Sequence, residues 1–209
     1  MTAVAELLSV EAAAVTIRTE SRAQEMLGAS SGWSAKLEEI QYTLGEGPGS
    51  EAVALGGPIL VPDLVGDQAR WPIFAEAALP IGAAAVFSFP LQMGAIALGT
   101  LNLYRRRPGG LMPTELGDAA VLAELTTMTL LKQTEMSERS GIELLRPIAS
   151  YQDVNIATGM LAAQLHITLS DAFARLRGYA FSDGRSVVEV AQDVVQQRID
   201  MGLLADQSD

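Results

Sequence analysis

The residues that could do chemistry in this chain are few and scattered. Glu46 and Glu51 flank Gly47-Pro48-Gly49 and could in principle serve as an acid and a base, yet no substrate or metal signature lies beside them. The glycines of Gly45-Glu46-Gly47-Pro48-Gly49 are not followed by the Lys-Ser or Lys-Thr of a phosphate-cradling loop, so a turn and a helix start are expected there. Asp63 and Asp67 lack a third ligand at a recognised spacing. His166 is the single histidine and cysteine is absent, which leaves no nucleophile–histidine relay, no thiolate zinc site and no disulfide. Arg105-Arg106-Arg107 reads as a solvated strand end, with an anion-binding or RNA-accessory patch as the alternative. Phe74, Phe87, Phe89 and Tyr104 read first as core, and second as the lining of a small-molecule pocket in a curved sheet. Neither an enzyme nor a cofactor is expected.

The charge balance narrows the partners. The chain of 209 residues carries a formal net charge of −11, with 9 basic against 16 acidic residues up to position 140 and 5 against 9 after it. Neither half is a basic module, so any nucleic-acid contact must be local rather than a broad attraction to phosphate. No apolar run approaches the 18 to 20 or so residues that span a bilayer, and no basic segment precedes an apolar one at the N-terminus. A cytoplasmic protein without a membrane partner is the expectation.

The elements that must position these residues follow from periodicity. Residues 12–19 and 22–28 read as short strands, 33–42 as a helix, 59–64 as a strand and 71–79 as a helix ended by Pro80. Residues 84–91 and 95–104 form a hairpin around Met93 and Gly94, which predicts a central antiparallel sheet. From Pro113 a long helix places Leu116, Ala120, Ala123, Thr127 and Leu130 on one face, a stripe suited to pairing with a second copy and hence to a homodimer. Ser140 and Gly141 mark a boundary. Three apolar stripes follow: Val154, Ala157, Leu161 and Leu165; then Leu169, Ala172, Phe173, Leu176 and Ala180; then Val187, Val190, Ala191, Val194 and Val195. Thr168 with Asp171 and Ser186 with Glu189 supply helix starts, the second with capping-box spacing. The division expected is a sensor domain at 1–112, a connector helix at 113–140, a three-helix domain at 141–203 and a tail at 204–209. The fold class is α+β.

Several of these segments resemble known landmarks. Leu44 to Ala52, Asp63-Leu64, Trp71 to Phe74, Phe89-Pro90-Leu91 and Gly99 to Tyr104 resemble the landmark segments of bacterial GAF domains. Val154 to Leu161, with Ala172-Phe173, Leu176-Arg177, Ala180 and Val190-Ala191, resembles an ANTAR domain. The order of the two is similar to that of actinobacterial GAF–ANTAR regulators. The resemblance implies a GAF-like antiparallel sheet with flanking helices, followed by an ANTAR-like bundle that binds paired RNA stem-loops and prevents transcription termination. Gly49 stands where a cysteine is common, and Thr158 where many ANTAR domains carry lysine. The signatures of cyclic-nucleotide, haem and bilin-binding relatives are missing, so the sensor's ligand, an unknown small molecule, has no assigned chemistry.

Two readings remain open on the residues. In the first the chain is a signal-responsive RNA-binding antitermination regulator, with Arg177 and Arg185 as the cationic contacts and Thr158 and Tyr179 as hydrogen-bonding or stacking supplements. Asp171 is placed to pair with Arg175, leaving the other two arginines to meet phosphate. In the second the chain is a small-molecule-sensing or protein-interaction module without RNA binding, which the acidic charge and Thr158 favour.

Overall fold

The structure, a computed structural model, describes Ala5 and residues 8–18, 24–94, 96–140 and 152–204. It divides into two units, residues 1–149 and 150–209.

In the first unit, short segments of small and β-branched residues build one antiparallel sheet. Its strands are β1 (Ala12–Arg18), β2 (Gln24–Ala29), β3 (Ile59–Val61), β4 (Ala85–Met93) and β5 (Ile96–Arg105), in the order β2-β1-β5-β4-β3. β4 and β5 pair along their length, with Phe87 opposite Leu103 and Ser88 opposite Asn102. Alternation then fixes two faces. One carries Ala13, Val15, Phe87, Phe89, Leu91, Leu101 and Leu103; the other carries Ala12, Val86 and Tyr104, together with buried Thr16, Ser88, Thr100 and Asn102.

Each face is covered by helices. α1 (Gly32–Leu44) starts in a capping box between Ser31 and Ser34 and ends at Gly45 in the left-handed region, φ 66°. α2 (Pro48–Leu55) begins with its proline in the first turn, where a missing N–H costs nothing, so the glycine-rich run is a tight joint between two helices rather than a long loop. These two and α3 (Pro72–Ala78) pack Leu37, Ala52, Phe74 and Ala78 onto the Tyr104 face. α4 (Pro113–Ser140) covers the opposite face through Ala119, Ala123 and Leu130. The expected stripe lies against the sheet rather than in a pairing seam: Ala123, Thr127 and Leu130 are buried and Leu116 half-buried, while Ala119 takes the place expected of Ala120, which is exposed. Burying Phe87, Phe89 and Leu103 contributes about 1.5 to 3 kcal/mol each, enough to choose this register over one slipped by a residue. The expected boundary at Gly141 lies outside the described residues.

In the second unit α5 (Gln152–Leu165), α6 (Leu169–Ser182) and α7 (Val187–Val195) form the bundle that three short amphipathic helices require. Val154, Ala157, Leu161, Ala172, Leu176, Ala180, Val187, Val190, Ala191 and Val194 are buried. Leu169 departs from its expected core place and is 64% exposed, because it stands in the first turn beyond the reach of the packed stripe. The expected caps form: Thr168 Oγ1 accepts the Asp171 N–H at 3.1 Å, and Ser186 and Glu189 exchange bonds at 3.2 and 3.0 Å. His166 takes a left-handed φ of 55° where α5 ends. Leu204, expected in the tail, is buried at the end of a 3₁₀ turn over Met201–Leu204.

Candidate functional site

The first unit holds a polar patch inside its core that sequence reasoning did not find. Glu38, on the sheet-facing side of α1, is only 4% exposed. Tyr104 Oη donates to its Oε1 at 2.5 Å, and Asn102 Nδ2 lies 2.9 and 3.0 Å from its two oxygens. Gln41, one turn along α1, donates to Tyr104 Oη at 2.8 Å and accepts the Gly49 N–H at 2.8 Å, which ties the start of α2 to the same patch. Thr100 Oγ1 receives Asn102 Nδ2 at 3.1 Å and pairs with Thr16 Oγ1 at 2.8 Å. Burial without a cation beside it pushes the Glu38 carboxyl up to about 7, against the downward pull of its bonds from Tyr104 and Asn102. Asn102 Oδ1 and Ser88 Oγ, on paired residues of the same face, find no hydrogen-bond partner among the described residues.

The glycines explain how α2 comes so close. Gly47 has a φ of 136°, and a Cβ there would meet Gln41 Oε1 at 2.5 Å. A Cβ on Gly49 would lie 3.0 Å from both terminal atoms of Asn102, so any larger residue at this position would require the Asn102 amide to give way by a few tenths of an ångström.

The charged residues near this site hold the scaffold together. Glu46 Oε1 accepts the Phe74 N–H at 2.7 Å at the start of α3, and Glu51 pairs with Arg70 at 2.8 Å, so the two acids do not face a common substrate position. Asp63 accepts the Val65 N–H in a turn. The arginine run is divided. Arg105 bonds Glu115 at 3.1 Å and the Gly110 carbonyl at 2.9 Å, Arg106 stacks 3.9 Å over Trp33, and Arg107 is exposed. The Met112 N–H first, and Arg105 after it, hold the Glu115 carboxyl below the usual range, which fixes the start of α4 to the end of β5.

The four aromatic residues do not line one pocket. Phe87 and Phe89 point to the α4 side while Tyr104 and Phe74 lie on the other, a consequence of the two-residue period, and all four are buried. A groove of about 310 Å³ opens instead between β2 and α4, lined by Val15, Leu27, Leu122, Leu125 and Leu130.

In the second unit the structure separates the four residues expected to meet RNA. Thr158 is 8% exposed, and its hydroxyl donates to the Val154 carbonyl one turn back at 2.6 Å, so it presents nothing to a ligand. Arg185, expected to stand open to phosphate, bonds Asp193 at 2.5 Å and lies 3.6 Å from Asp183; Asp193 also holds Arg198. Arg185 accordingly holds its proton more tightly, and the bond from Arg185 is the main cause of the lowered Asp193 carboxyl. Asp171 receives the Thr168 hydroxyl at 2.7 Å. Tyr179 is half-buried. Arg177 sits with its guanidinium 4.9 Å over the Phe173 ring, and Phe181, which the sequence reading passed over, is 62% exposed.

Comparison with known proteins fits this division. The ANTAR domain family matches residues 143–195, which take in α5, α6 and α7. Among solved structures, a domain of a two-component sensor histidine kinase protein from Sinorhizobium meliloti superposes with a TM-score of 0.53 at 22% identity, covering 66% of this chain and 90% of its own. GAF3 from Slr1393 of Synechocystis, in its photoproduct state, gives 0.52 at 14% identity over 66% of this chain and 92% of its own. The chain joins a GAF-like fold to an ANTAR domain. No curated protein matches it. In a GAF-like sheet the buried patch lies between the sheet and the helices joined by the Gly45 to Gly49 turn, and in the ANTAR domain the exposed side of α6 is set by the stripe that α5 and α7 bury.

Proposed function

We infer that the chain is a non-catalytic, signal-responsive regulator whose ANTAR domain binds paired RNA stem-loops and thereby prevents transcription termination. The carrying observation is the ANTAR match over 143–195 on a three-helix bundle in which the caps at Thr168 and Ser186 form. The GAF-like unit supplies the input. Its buried patch links α1, α2, β1 and β5, so a small molecule or a proton acting there would bear on much of the unit. The protein works in the cytoplasm as a homodimer, paired through the outer face of α4. That face exposes Val121, Leu125 and Met128 at positions i, i+4 and i+7, a spacing that favours a partner helix.

A second reading, a sensing or interaction module without RNA binding, draws support from the buried Thr158 and the neutralised Arg185. A gel shift of the full chain on a library of tandem stem-loop RNAs separates the two. The first reading expects a complex that needs both stem-loops; no shift with any member would leave the second.

A further inference from the structure

The groove between β2 and α4, on the sheet face opposite the buried patch, has a cause in the sequence. β1 and β2 pair across a bulge: Val15 stands opposite Gly28 and Thr16 opposite Met26, which leaves Leu27 as an extra residue. A bulge bends its strand and increases the local twist, and β2 is the edge of the sheet. Gly28, on the same side as its partner Val15, brings no side chain to fill the gap toward α4. The opposite wall is α4, where Leu122 and Leu125 alternate with the shorter Thr126 and Thr129. A core otherwise filled by leucine and phenylalanine is thus left with about 310 Å³ of lined space.

The lining selects by polarity. None of the described residues around the groove is ionisable, and the chain carries a net charge of −11, so an anion gains nothing there. The two threonines spend their protons on their own helix: Thr126 Oγ1 donates to the Leu122 carbonyl at 2.7 Å and Thr129 Oγ1 to the Leu125 carbonyl at 2.8 Å. Each hydroxyl then offers an occupant no donor, only a lone pair. Size selects as well. An apolar cavity of about 150 Å³ holds one benzene ring, so this groove suits two fused rings or a chain of about ten carbons. A second copy of the chain fits it less well. A stable interface takes about 800 Å² from each partner, and the exposed stripe of Val121, Leu125 and Met128 meets the groove only at Leu125.

We propose that the groove between β2 and α4 binds a neutral, mainly apolar small molecule of about the size of two fused rings. The occupant touches β1, β2 and α4 together, so a molecule that prefers one position of α4 shifts the unit toward it. This consequence rests on the reading of the GAF-like unit as the input, whereas binding itself is measured without RNA and stands or falls apart from that reading.

The test titrates prodan, a neutral dye of two fused rings whose emission moves to shorter wavelength in apolar surroundings, into the full chain. A saturable shift is expected, reversed by n-decanol more readily than by decanoate. Thr126→Phe and Thr129→Phe each fill the groove from the α4 wall, and each should weaken prodan binding by about ten- to a hundredfold, which is what burial of one ring is worth. Val121→Lys with Met128→Lys lies on the exposed stripe outside the groove and should leave prodan binding unchanged. Helical dichroism should match the parent in every variant. Parent affinity in both filling variants overturns the proposal, as does a dye signal that never saturates. Equal displacement by decanoate overturns the neutral class of ligand. Dye binding that appears only in the Val121→Lys, Met128→Lys variant assigns the groove to a second copy and overturns the proposal. A chain that binds prodan here but shifts no stem-loop RNA keeps this site and loses the antitermination reading.

Discussion

The two units spend their polar residues differently. The GAF-like unit buries Thr16, Ser34, Glu38, Gln41, Ser88, Thr100 and Asn102, and joins Glu38 to residues more than sixty positions away. In the ANTAR domain the one buried polar residue among those described is Thr158, and it bonds within its own helix. The other polar side chains with bonds there serve caps and surface pairs. A core whose polar parts depend on one another can be shifted as a whole by a change at one of them. An apolar core closed by local caps responds to lost volume and little else. The contrast separates a unit whose buried polar groups depend on one another from one that keeps its shape through an apolar core and local caps.

The largest effect that would test this contrast lies in the bundle. Leu176 is fully buried where α6 meets its neighbours, so Leu176→Ala should destabilise the ANTAR domain by about 2 to 5 kcal/mol. In a unit this small that is much of the total stability. Arg177→Ala, one residue on, should cost less than Leu176→Ala, because it removes a half-buried side chain stacked on Phe173 and leaves the buried line of α6 intact. Urea unfolding of the full chain followed by helical dichroism measures both. Equal losses would mean that α6 is not divided into a buried line and an open one.

In the GAF-like unit the corresponding change is one of charge. The Glu38 carboxyl is raised from 4.5 to about 7 in the folded protein. The unfolded chain loses that proton first, so stability falls as pH climbs from 4.5 toward 7 and is level above it. The raised value corresponds to about 3 kcal/mol lost by pH 8. Glu38→Gln removes the ionisation and should flatten this part of the curve. Its amide must face Asn102 Nδ2, a clash of donors that a turn of the Asn102 amide relieves by bringing Oδ1 round. The quantity to read is thus the difference in slope between the two proteins from pH 5 to 8. Parallel curves would show that the patch is insensitive to protonation and that the two units do not differ in this respect.

Much of this plan was legible in the residues, and what was missed has a physical cause. Local signals held: Ser186 with Glu189 forms its capping box, Pro113 starts α4, and Phe87 and Phe89 alternate into the core. One member of the α4 stripe was misassigned, because Ala119 and Ala120 are equally compatible with a 3.6 period and only the sheet decides between them. Glu38 reads as an ordinary helix surface acid, since its partners on β5 stand 64 and 66 residues away. The arginines were misread for the same reason. Asp193 lies eight residues from Arg185, beyond any spacing on one helix that would announce a pair.

The smallest effect on stability is expected from the outer face of α4, although its effect on assembly is large. Leu116 and Leu130, which the sequence offers as a pairing seam, pack toward the sheet, and lysine at either would place a charge against apolar residues and unfold the unit. Leu125 and Met128 are exposed, so Leu125→Lys with Met128→Lys should change the unfolding free energy by no more than about 0.5 kcal/mol per site. If the dimer pairs through this face, the double variant should sediment as a monomer under conditions in which the parent chain is a dimer, because two like charges per chain then meet their copies across the two-fold axis. Dichroism and melting should match the parent. A double variant that remains dimeric would move the contact off α4.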